Sequence, residues 1–403
     1  MTASICQHLI LALTLQDWPQ FRGPDGQGHS DVTSLPLKWS ESTAFAWKTP
    51  LPGLGWSSPV VADGKIWLTT ATEEGKSLRA LCLEASSGKI LQDVEVFKLP
   101  AAGRIHQKNS HASPTPILEG DRVYVHFGAN GTACLTTAGA LVWKQQLKYS
   151  PVHGSGGSPA LWKDLLLISC DGSDAAFVTA LDKKTGQPKW RTSREPNDYP
   201  KKFAFSTPLV IEVNGAAQAV STGASGATAY DPATGKPIWR VRFAEGYSNV
   251  PRPVFGQGLV FLATGYDKPT LIGVRPDGKG DVTETHVAWK LDRNAPNNPS
   301  PLLVGEELYL VSDGGVASCL EAKTGTVHWQ ERLGGNFSAS PFLAAGRIYF
   351  QDENGATTIV KPGKTFEKLA RNDLKAKTLA TPTPLEGALL LRTDKQLLRI
   401  NAD

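Results

Sequence analysis

The strongest constraint on the fold is a phrase of eleven residues that recurs along the chain. It occurs as Ala180-Leu-Asp-Lys-Lys-Thr-Gly-Gln-Pro-Lys-Trp190 and again as Ala229-Tyr-Asp-Pro-Ala-Thr-Gly-Lys-Pro-Ile-Trp239. Degraded copies end at Trp143 and Trp329, and a fifth copy has Gln92 where the tryptophan is expected. Such repetition indicates one supersecondary unit copied along the chain. The unit therefore determines the fold, and function is sought where the repeat is broken.

A second marker sets the register of the repeat. A Ser-Pro or Thr-Pro pair precedes a short apolar run in seven units, and an arginine takes the Ser position in an eighth. The pairs are Ser58-Pro59, Ser113-Pro114, Ser158-Pro159, Thr207-Pro208, Arg252-Pro253, Ser300-Pro301, Ser340-Pro341 and Thr381-Pro382. Successive pairs lie 40 to 55 residues apart, close to the about 40–50 residues of a four-stranded propeller blade.

The runs between these markers predict strands rather than helices. They are short, β-rich and bounded by Gly, Asp and Pro, and no convincing amphipathic helix occurs. The last unit supplies only three strands, and residues 44–50 are predicted to complete it, which removes two exposed sheet edges. The sequence thus predicts an all-β protein. Residues 17–403 are predicted to form a single eight-bladed β-propeller of four-stranded antiparallel blades, closed by an N-terminal strand.

Composition narrows the functional classes. The net charge of the 403 residues is only +4 and the basic residues are scattered, which argues against a nucleic-acid partner. Five cysteines without a Cys-x-x-Cys motif indicate neither a disulfide framework nor a common zinc or haem site. Within residues 1–16, the apolar run from Leu9 to Leu15 is too short for a transmembrane span and resembles a degenerate signal segment. We expect a monomeric, periplasmic or otherwise extracytoplasmic protein.

The repeated phrase resembles the repeat of quinoprotein dehydrogenases, which bind pyrroloquinoline quinone (PQQ), over about residues 44–403. The same repeat builds the outer-membrane assembly lipoproteins of the BamB type, which bind no quinone. The stretches Asp17-Trp-Pro-Gln-Phe-Arg-Gly-Pro24 and Tyr247-Ser-Asn-Val-Pro-Arg252 resemble PQQ-binding-like single-propeller proteins of planctomycete-type bacteria.

This resemblance implies the fold more strongly than the cofactor. The adjacent cysteine pair and the Ca²⁺-binding pattern of the dehydrogenases are missing, and so is the lipid-attachment cysteine of BamB. We therefore expect no cofactor, with PQQ as the disfavoured possibility.

Candidate site residues lie in the connections that join the outer strand of one blade to the inner strand of the next. These connections converge on the central channel and break the repeat with polar residues. The candidates for ligand binding are His106, Lys108, Asn109, His111, His153, Lys202, Tyr247, Arg252 and Asn298. If they share one pocket, it is cationic and suits an acidic or polar ligand. The alternative is that they are solvated loop residues around a wet channel.

Metal binding and catalysis have little support in the sequence. A metal site would require His106, His111 and His153 to converge, and their spacing matches no known ligand motif. No partner carboxylate lies near these histidines in sequence, so a general base is equally unsupported. We predict no metal and no catalytic residue.

Three functional hypotheses follow. The first is an exported, non-catalytic binding or scaffolding propeller that resembles BamB in architecture and binds other proteins. The second is an enzyme or binding protein that uses a cationic central pocket for an acidic or polar small molecule or glycan, such as a polysaccharide. The third and weakest is a PQQ-dependent oxidoreductase. The first two hypotheses can be distinguished by the structure, because only the second requires His111, His153, Lys202 and Arg252 to face one common cavity.

Overall fold

A computed structural model describes residues 17–40, 45–196 and 198–402, which form an eight-bladed β-propeller. The predicted signal segment, residues 1–16, and residue 44 of the predicted closing strand lie outside the described residues. Two 3₁₀ turns, Glu73–Gly75 and Gly128–Asn130, are the helical elements within the described ranges. No helix among these residues is long and apolar enough to cross a membrane.

The first four blades follow the chain from the inner to the outer strand. Blade 1 comprises Val60–Ala62, Lys65–Thr72, Ser77–Glu84 and Ile90–Lys98. Blade 2 comprises Ile117–Glu119, Arg122–His126, Thr132–Thr136 and Leu141–Gln145. Blade 3 comprises Ala160–Trp162, Leu165–Asp171, Ala176–Asp182 and Pro188–Ser193. Blade 4 comprises Leu209–Val213, Ala216–Gly223, Gly226–Tyr230 and Pro237–Arg242, extended by Gly280–Asp281.

The other four blades complete the ring. Blade 5 comprises Val254–Gly256, Leu259–Ala263, Leu271–Val274 and Val287–Leu291. Blade 6 comprises Leu302–Val304, Glu307–Val311, Val316–Glu321 and Val327–Arg332. Blade 7 comprises Phe342–Ala344, Arg347–Gln351, Ala356–Val360 and Lys368–Asp373. Blade 8 comprises Thr383–Leu385, Ala388–Arg392, Gln396–Asn401 and Phe45–Pro50.

The predicted closure of the ring is confirmed. Phe45–Pro50 pairs antiparallel with Gln396–Asn401, with Lys48 opposite Leu398, and forms the outer strand of blade 8. Blade 8 therefore combines strands from both ends of the described chain. The pairing covers the sheet edge that Gln396–Asn401 would otherwise expose and gives the last blade its fourth strand.

The Ser/Thr-Pro markers open the inner strands and also link the blades. In six of the eight markers the amide donates a hydrogen bond to the hydroxyl of the next marker around the ring, as Ser158 does to Thr207 at 2.9 Å. Six such bonds occur, with donor and acceptor in the pairs Ser58–Thr115, Thr115–Ser158, Ser158–Thr207, Arg252–Ser300, Ser300–Ser340 and Ser340–Thr381. One predicted marker is shifted, because Thr115-Pro116 opens blade 2 rather than Ser113-Pro114.

The recurrent tryptophans dock each blade on the next. Five of the six predicted equivalents donate their indole N–H to a main-chain carbonyl in the turn of the following blade, at 2.9–3.1 Å. The donors and acceptors are Trp47 and Ala85, Trp143 and Lys183, Trp190 and Pro232, Trp289 and Ala322, and Trp329 and Gly363. Buried rings held by a hydrogen bond make specific blade contacts.

Two positions depart from this pattern in instructive ways. Gln92 occupies the tryptophan position of blade 1 and donates to the Thr137 carbonyl of blade 2 at 3.3 Å, so an amide replaces the indole. Trp239 instead donates to Gln218 within its own blade at 2.7 Å. The turn that it would otherwise contact is replaced by Gly280–Asp281, which pairs in parallel with Trp239 and Arg240.

Trp239 is 1% exposed and lies at the centre of a hydrophobic cluster shared by blades 4 and 5. We expect Trp239→Ala to lower the free energy of unfolding by about 3–5 kcal/mol, as large aromatic truncations in cores do. Trp190→Ala should cost less, since Trp190 is only half-buried. Urea unfolding checks this, with Leu141→Ala as the control, because Leu141 lies on the outer strand of blade 2 and is 49% exposed. Equal losses in all three variants would contradict the docking role.

Candidate functional site

The central channel is crossed by the chain's own N-terminal segment. Trp18 bridges to Val61 in the inner strand of blade 1, and the Leu118 amide of blade 2 donates to the Pro19 carbonyl. The same segment reaches blade 7, where the Ser30 amide donates to the Leu343 carbonyl. It also contacts blade 5, where the Phe255 amide donates to Gln27 Oε1. Since blades 1 and 5 lie opposite each other in a ring of eight, residues 17–30 cross the channel. We call residues 17–30 the plug.

Arg22 anchors the plug from within. Its side chain is 1% exposed, and its guanidinium donates to the carbonyls of Gln27 at 2.5 Å and Pro301 at 2.6 Å. Longer contacts of 3.4 Å reach the carbonyls of Ser300 and Pro341 on blades 6 and 7. Burial lowers the pKa of Arg22 to about 9. Its φ of 66° lies in the left-handed region, which costs a non-glycine residue free energy.

Arg252 holds the plug from the ring. It is 3% exposed, its Nε donates to the Pro208 carbonyl at 3.1 Å, and its Nη1 donates to the Phe21 carbonyl at 2.8 Å. Burial lowers its pKa to about 10. Gly26, at φ +69°, passes so close to this guanidinium that a Cβ would overlap it. The structure therefore places Arg252 inside the ring, and its donors bond to backbone rather than open into a pocket.

One mouth of the channel forms a cavity of about 310 Å³ above the plug. Phe21 of the plug contributes to its wall, and the rest comes from the blade connections and the Ser/Thr markers. Six of the nine predicted site residues line this mouth cavity: His106, Lys108, Asn109, His153, Tyr247 and Asn298.

The other three predicted residues lie elsewhere. His111 packs against Gly75 of blade 1, and burial lowers its pKa. Lys202 is exposed in a separate surface groove between blades 3 and 4. With Arg252 in the interior, the structure does not bring His111, His153, Lys202 and Arg252 together along one arc.

The longest connection, residues 104–111, is held across the mouth. Lys108 Nζ lies 2.5 Å from Glu353 Oε1 of blade 7, and the same carboxylate oxygen accepts from the Ser338 hydroxyl at 2.7 Å. Asn109 Nδ2 donates to the carbonyls of His153 at 2.8 Å and Ser155 at 3.0 Å. The one lysine of the mouth cavity is therefore paired with a carboxylate.

Aromatic rings make up much of the remaining wall. The His153 ring lies 4.9 Å from Phe203, 6.3 Å from Phe205 and 5.1 Å from His106, centroid to centroid. Burial lowers the pKa of His153, and the neighbouring His106 lowers it further, so His153 is neutral at neutral pH. Tyr247 lies 6.1 Å from Tyr266.

Asn298 joins this aromatic wall to a buried carboxylate. Its Nδ2 donates to the Tyr266 hydroxyl at 2.8 Å and to Asp313 at 3.0 Å. Burial raises the pKa of Asp313, although the Asn297 and Asn298 donors oppose that shift. Both amide hydrogens of Asn298 are thus used within the protein, and its Oδ1 is left as the group that a ligand could meet.

Sequence reasoning missed four aromatic residues of the cavity: Phe21, Trp56, Phe205 and Tyr266. Trp56 and Phe205 lie in the connections that were predicted to face the channel, but the candidate list was restricted to polar and charged residues and Tyr247. The plug had one signal in the sequence, since Gly23, Gly26 and Gly28 crowd around Arg22 in front of the first repeat. Among the described residues, no three His, Cys, Asp or Glu side chains cluster in a way that could hold a metal ion.

The His29–Asp25 pair at the end of the plug should make the stability of the protein depend on pH. His29 Nδ1 lies 2.5 Å from Asp25 Oδ2, and its Nε2 lies 2.6 Å from the Leu303 carbonyl. Burial works to lower the pKa of His29, but Asp25 and the Leu303 carbonyl raise it overall. Burial likewise works to raise the pKa of Asp25, but the His29 and Gln27 donors lower it overall.

The raised pKa of His29 gives stability that is present below about pH 6.5 and lost as pH rises through the folded value. The lowered pKa of Asp25 gives stability that is present above about pH 3.9 and lost as pH falls through the folded value. We expect His29→Gln to lower the free energy of unfolding most between these limits, and less at pH 8.5. Urea unfolding across this range is the measurement, and a pH-independent difference would refute the pairing.

Comparison with known proteins agrees with this architecture. The family described as outer membrane protein assembly factor BamB matches residues 37–170, 174–310 and 284–362. BamB of Yersinia pestis is 23% identical over 227 residues, which cover 55% of this chain and 55% of that protein. The chain thus matches about half the length of that relative.

Two solved structures share the fold. BamB from Moraxella catarrhalis superposes with a TM-score of 0.62 at 14% identity, over 89% of this chain and 99% of that one. The computationally designed Ika8 protein superposes with a TM-score of 0.59 at 9% identity, over 91% of this chain and 100% of that one. On the residues matched, the chain belongs to the family described as outer membrane protein assembly factor BamB.

Proposed function

We propose that the chain is an exported, non-catalytic scaffold that binds other proteins through the face bearing the mouth cavity. The observation that carries this proposal is the plug. A segment of the protein itself fills the channel axis and is held by the buried Arg22 and Arg252. A ring whose axis is filled in this way serves as a rigid platform for its loops. Membership of a family named for an assembly factor supports the same role.

The two faces of the ring differ in the length of their loops, and the difference favours the face with the mouth cavity as the partner-binding surface. The opposite face carries short turns such as residues 182–186, where Asp182 caps the turn by accepting from the amides of Lys184 and Thr185. The mouth carries the longer connections, and Leu54 there is 39% exposed. Loops on a rigid scaffold are where binding surfaces are usually found.

PQQ fits this site poorly. The quinone carries carboxylates, which require exposed cationic donors. Lys108 is already paired with Glu353, and the guanidiniums of Arg22 and Arg252 bond to backbone carbonyls. The cysteines among the described residues, Cys82, Cys134, Cys170 and Cys319, are buried and unpaired. These features support a function without the quinone.

We therefore expect no stoichiometric binding of PQQ by the purified chain in the presence of Ca²⁺, and no dye reduction with alcohols or sugars. Isothermal calorimetry and a dye-reduction assay with added PQQ measure these two outcomes. A tight one-to-one complex, or turnover that depends on the quinone, would overturn the non-catalytic proposal.

Export and partner binding are tested in cells that encode the protein. A photo-crosslinking residue in place of Arg104 probes the mouth, and one in place of Lys184 on the opposite face is the matched control. Both positions are exposed. We expect the chain in the extracytoplasmic fraction and a discrete protein adduct from position 104 alone. A cytoplasmic chain, or equal adducts from both positions, would contradict the proposal.

A further inference from the structure

The mouth cavity has the form of a ligand site that a scaffolding role does not require. At about 310 Å³ it lies at the lower end of the volumes of small-molecule pockets. Phe21 of the plug is one of its lining residues. Trp56 lines the same cavity and is 8% exposed.

The cavity wall presents a ring of hydroxyl donors. Besides Ser58, five marker residues line it: Thr115, Ser158, Thr207, Ser340 and Thr381. Each hydroxyl oxygen accepts an amide hydrogen from the preceding marker, at 2.8–3.0 Å. Within the described part of the chain, none of the five donates its own hydrogen to a protein acceptor. Five O–H donors thus remain for an occupant of the cavity.

Two further groups complete the set. No acceptor for the Trp56 indole N–H occurs among the described residues, so this donor too is available to a ligand. Asn298 offers its Oδ1 as an acceptor, because its two amide hydrogens bond to Tyr266 and Asp313. The available groups are therefore mostly donors, which match a ligand rich in oxygen acceptors.

The charge of the cavity argues against a strongly ionic ligand. Lys108, its one lysine, is paired with Glu353 at 2.5 Å, so the two charges cancel at the rim. Arg252 and Arg22 bond to backbone carbonyls beneath the cavity. A carboxylate would lose its hydration on entry and would find the one lining lysine already paired, a cost that neutral hydroxyl donors offset only in part. Lys377, whose Nζ lies 5.7 Å from the centroid of the Trp56 ring, is not among the lining residues.

From this geometry we infer that the mouth cavity binds an uncharged saccharide unit, the end of a neutral glycan. A sugar ring presents one apolar face of C–H groups, suited to the Trp56, Phe21 and Tyr247 rings. Its edge carries hydroxyl and ring oxygens, suited to the marker hydroxyls and the Trp56 N–H. This inference does not depend on the scaffolding role, because the purified chain suffices to test it.

The test titrates the ¹⁵N-labelled chain with three neutral trisaccharides, maltotriose, cellotriose and chitotriose, and with the acidic trigalacturonate. We expect at least one neutral trisaccharide to bind with a Kd below about 1 mM. The Trp56 indole N–H resonance, assigned with Trp56→Phe, should shift on binding, and the outer-strand indole resonances should not. Trigalacturonate should bind at least about tenfold more weakly.

Variants provide a second measurement. Trp56→Ala should weaken binding of the same trisaccharide by about tenfold or more, and Trp162→Ala, outside the cavity, should leave it unchanged. Thermal melting checks that both variants fold. If Trp56→Ala does not fold, the shift of the Trp56 N–H resonance in the chain without substitutions still tests the inference. Failure of all three neutral sugars at 10 mM, tighter binding of trigalacturonate, or binding without a Trp56 shift would each overturn the inference.

Discussion

The pairing of Phe45–Pro50 with Gln396–Asn401 is the interaction on which the rest of the structure depends. It joins strands that are separated by almost the whole described chain, and it places eight inner strands in a ring around one axis. Eight short inner strands of three to five residues cannot fill that axis with their own side chains. The plug follows from this geometry, because an unfilled channel would leave Phe21, Trp18 and the marker residues without packing partners.

Three buried arginines consolidate the filled ring. Arg392 resembles Arg22 and Arg252, since its guanidinium donates to the carbonyls of Ser57 and Thr69, each at 2.9 Å. Burial lowers its pKa to about 9. Five donors in a planar fork and weak hydration let a guanidinium serve several carbonyls at once, which an ammonium does less well. These cations act as cross-links between segments that are distant in sequence.

The sequence predicted what is local and periodic in this fold. The blade count, the closing strand and the tryptophan positions all follow from the repeat, and the structure confirms them. The marker of blade 2 was misplaced because Ser113-Pro114 and Thr115-Pro116 lie two residues apart. A slip of two residues keeps the alternation of side chains along a strand and is invisible to pattern reasoning.

The site was less predictable because its contacts join distant units. Lys108 meets Glu353 across the ring, and no spacing in the sequence links two such residues. Arg252 occupies a position where the repeat has Ser or Thr, and its direction depends on Phe21, which lies outside the repeat. Six of the nine residues that were singled out because they break the repeat line the mouth cavity. Whether each one faced the cavity or the interior depended on the plug, whose path the repeat does not encode.

The polarity of the mouth follows from the way the blades are joined. A Ser or Thr hydroxyl that accepts an amide hydrogen from the previous blade keeps its own hydrogen as a donor, and five such residues line the mouth cavity. Arg252 has no hydroxyl to accept such a bond, so the series of marker hydrogen bonds is interrupted at this position. Its guanidinium instead donates to the Phe21 carbonyl of the plug. One set of residues therefore links the blades and shapes the cavity. A substitution at a marker would change the cavity and also remove a hydrogen bond between blades, whereas a substitution in a connection would change the cavity alone.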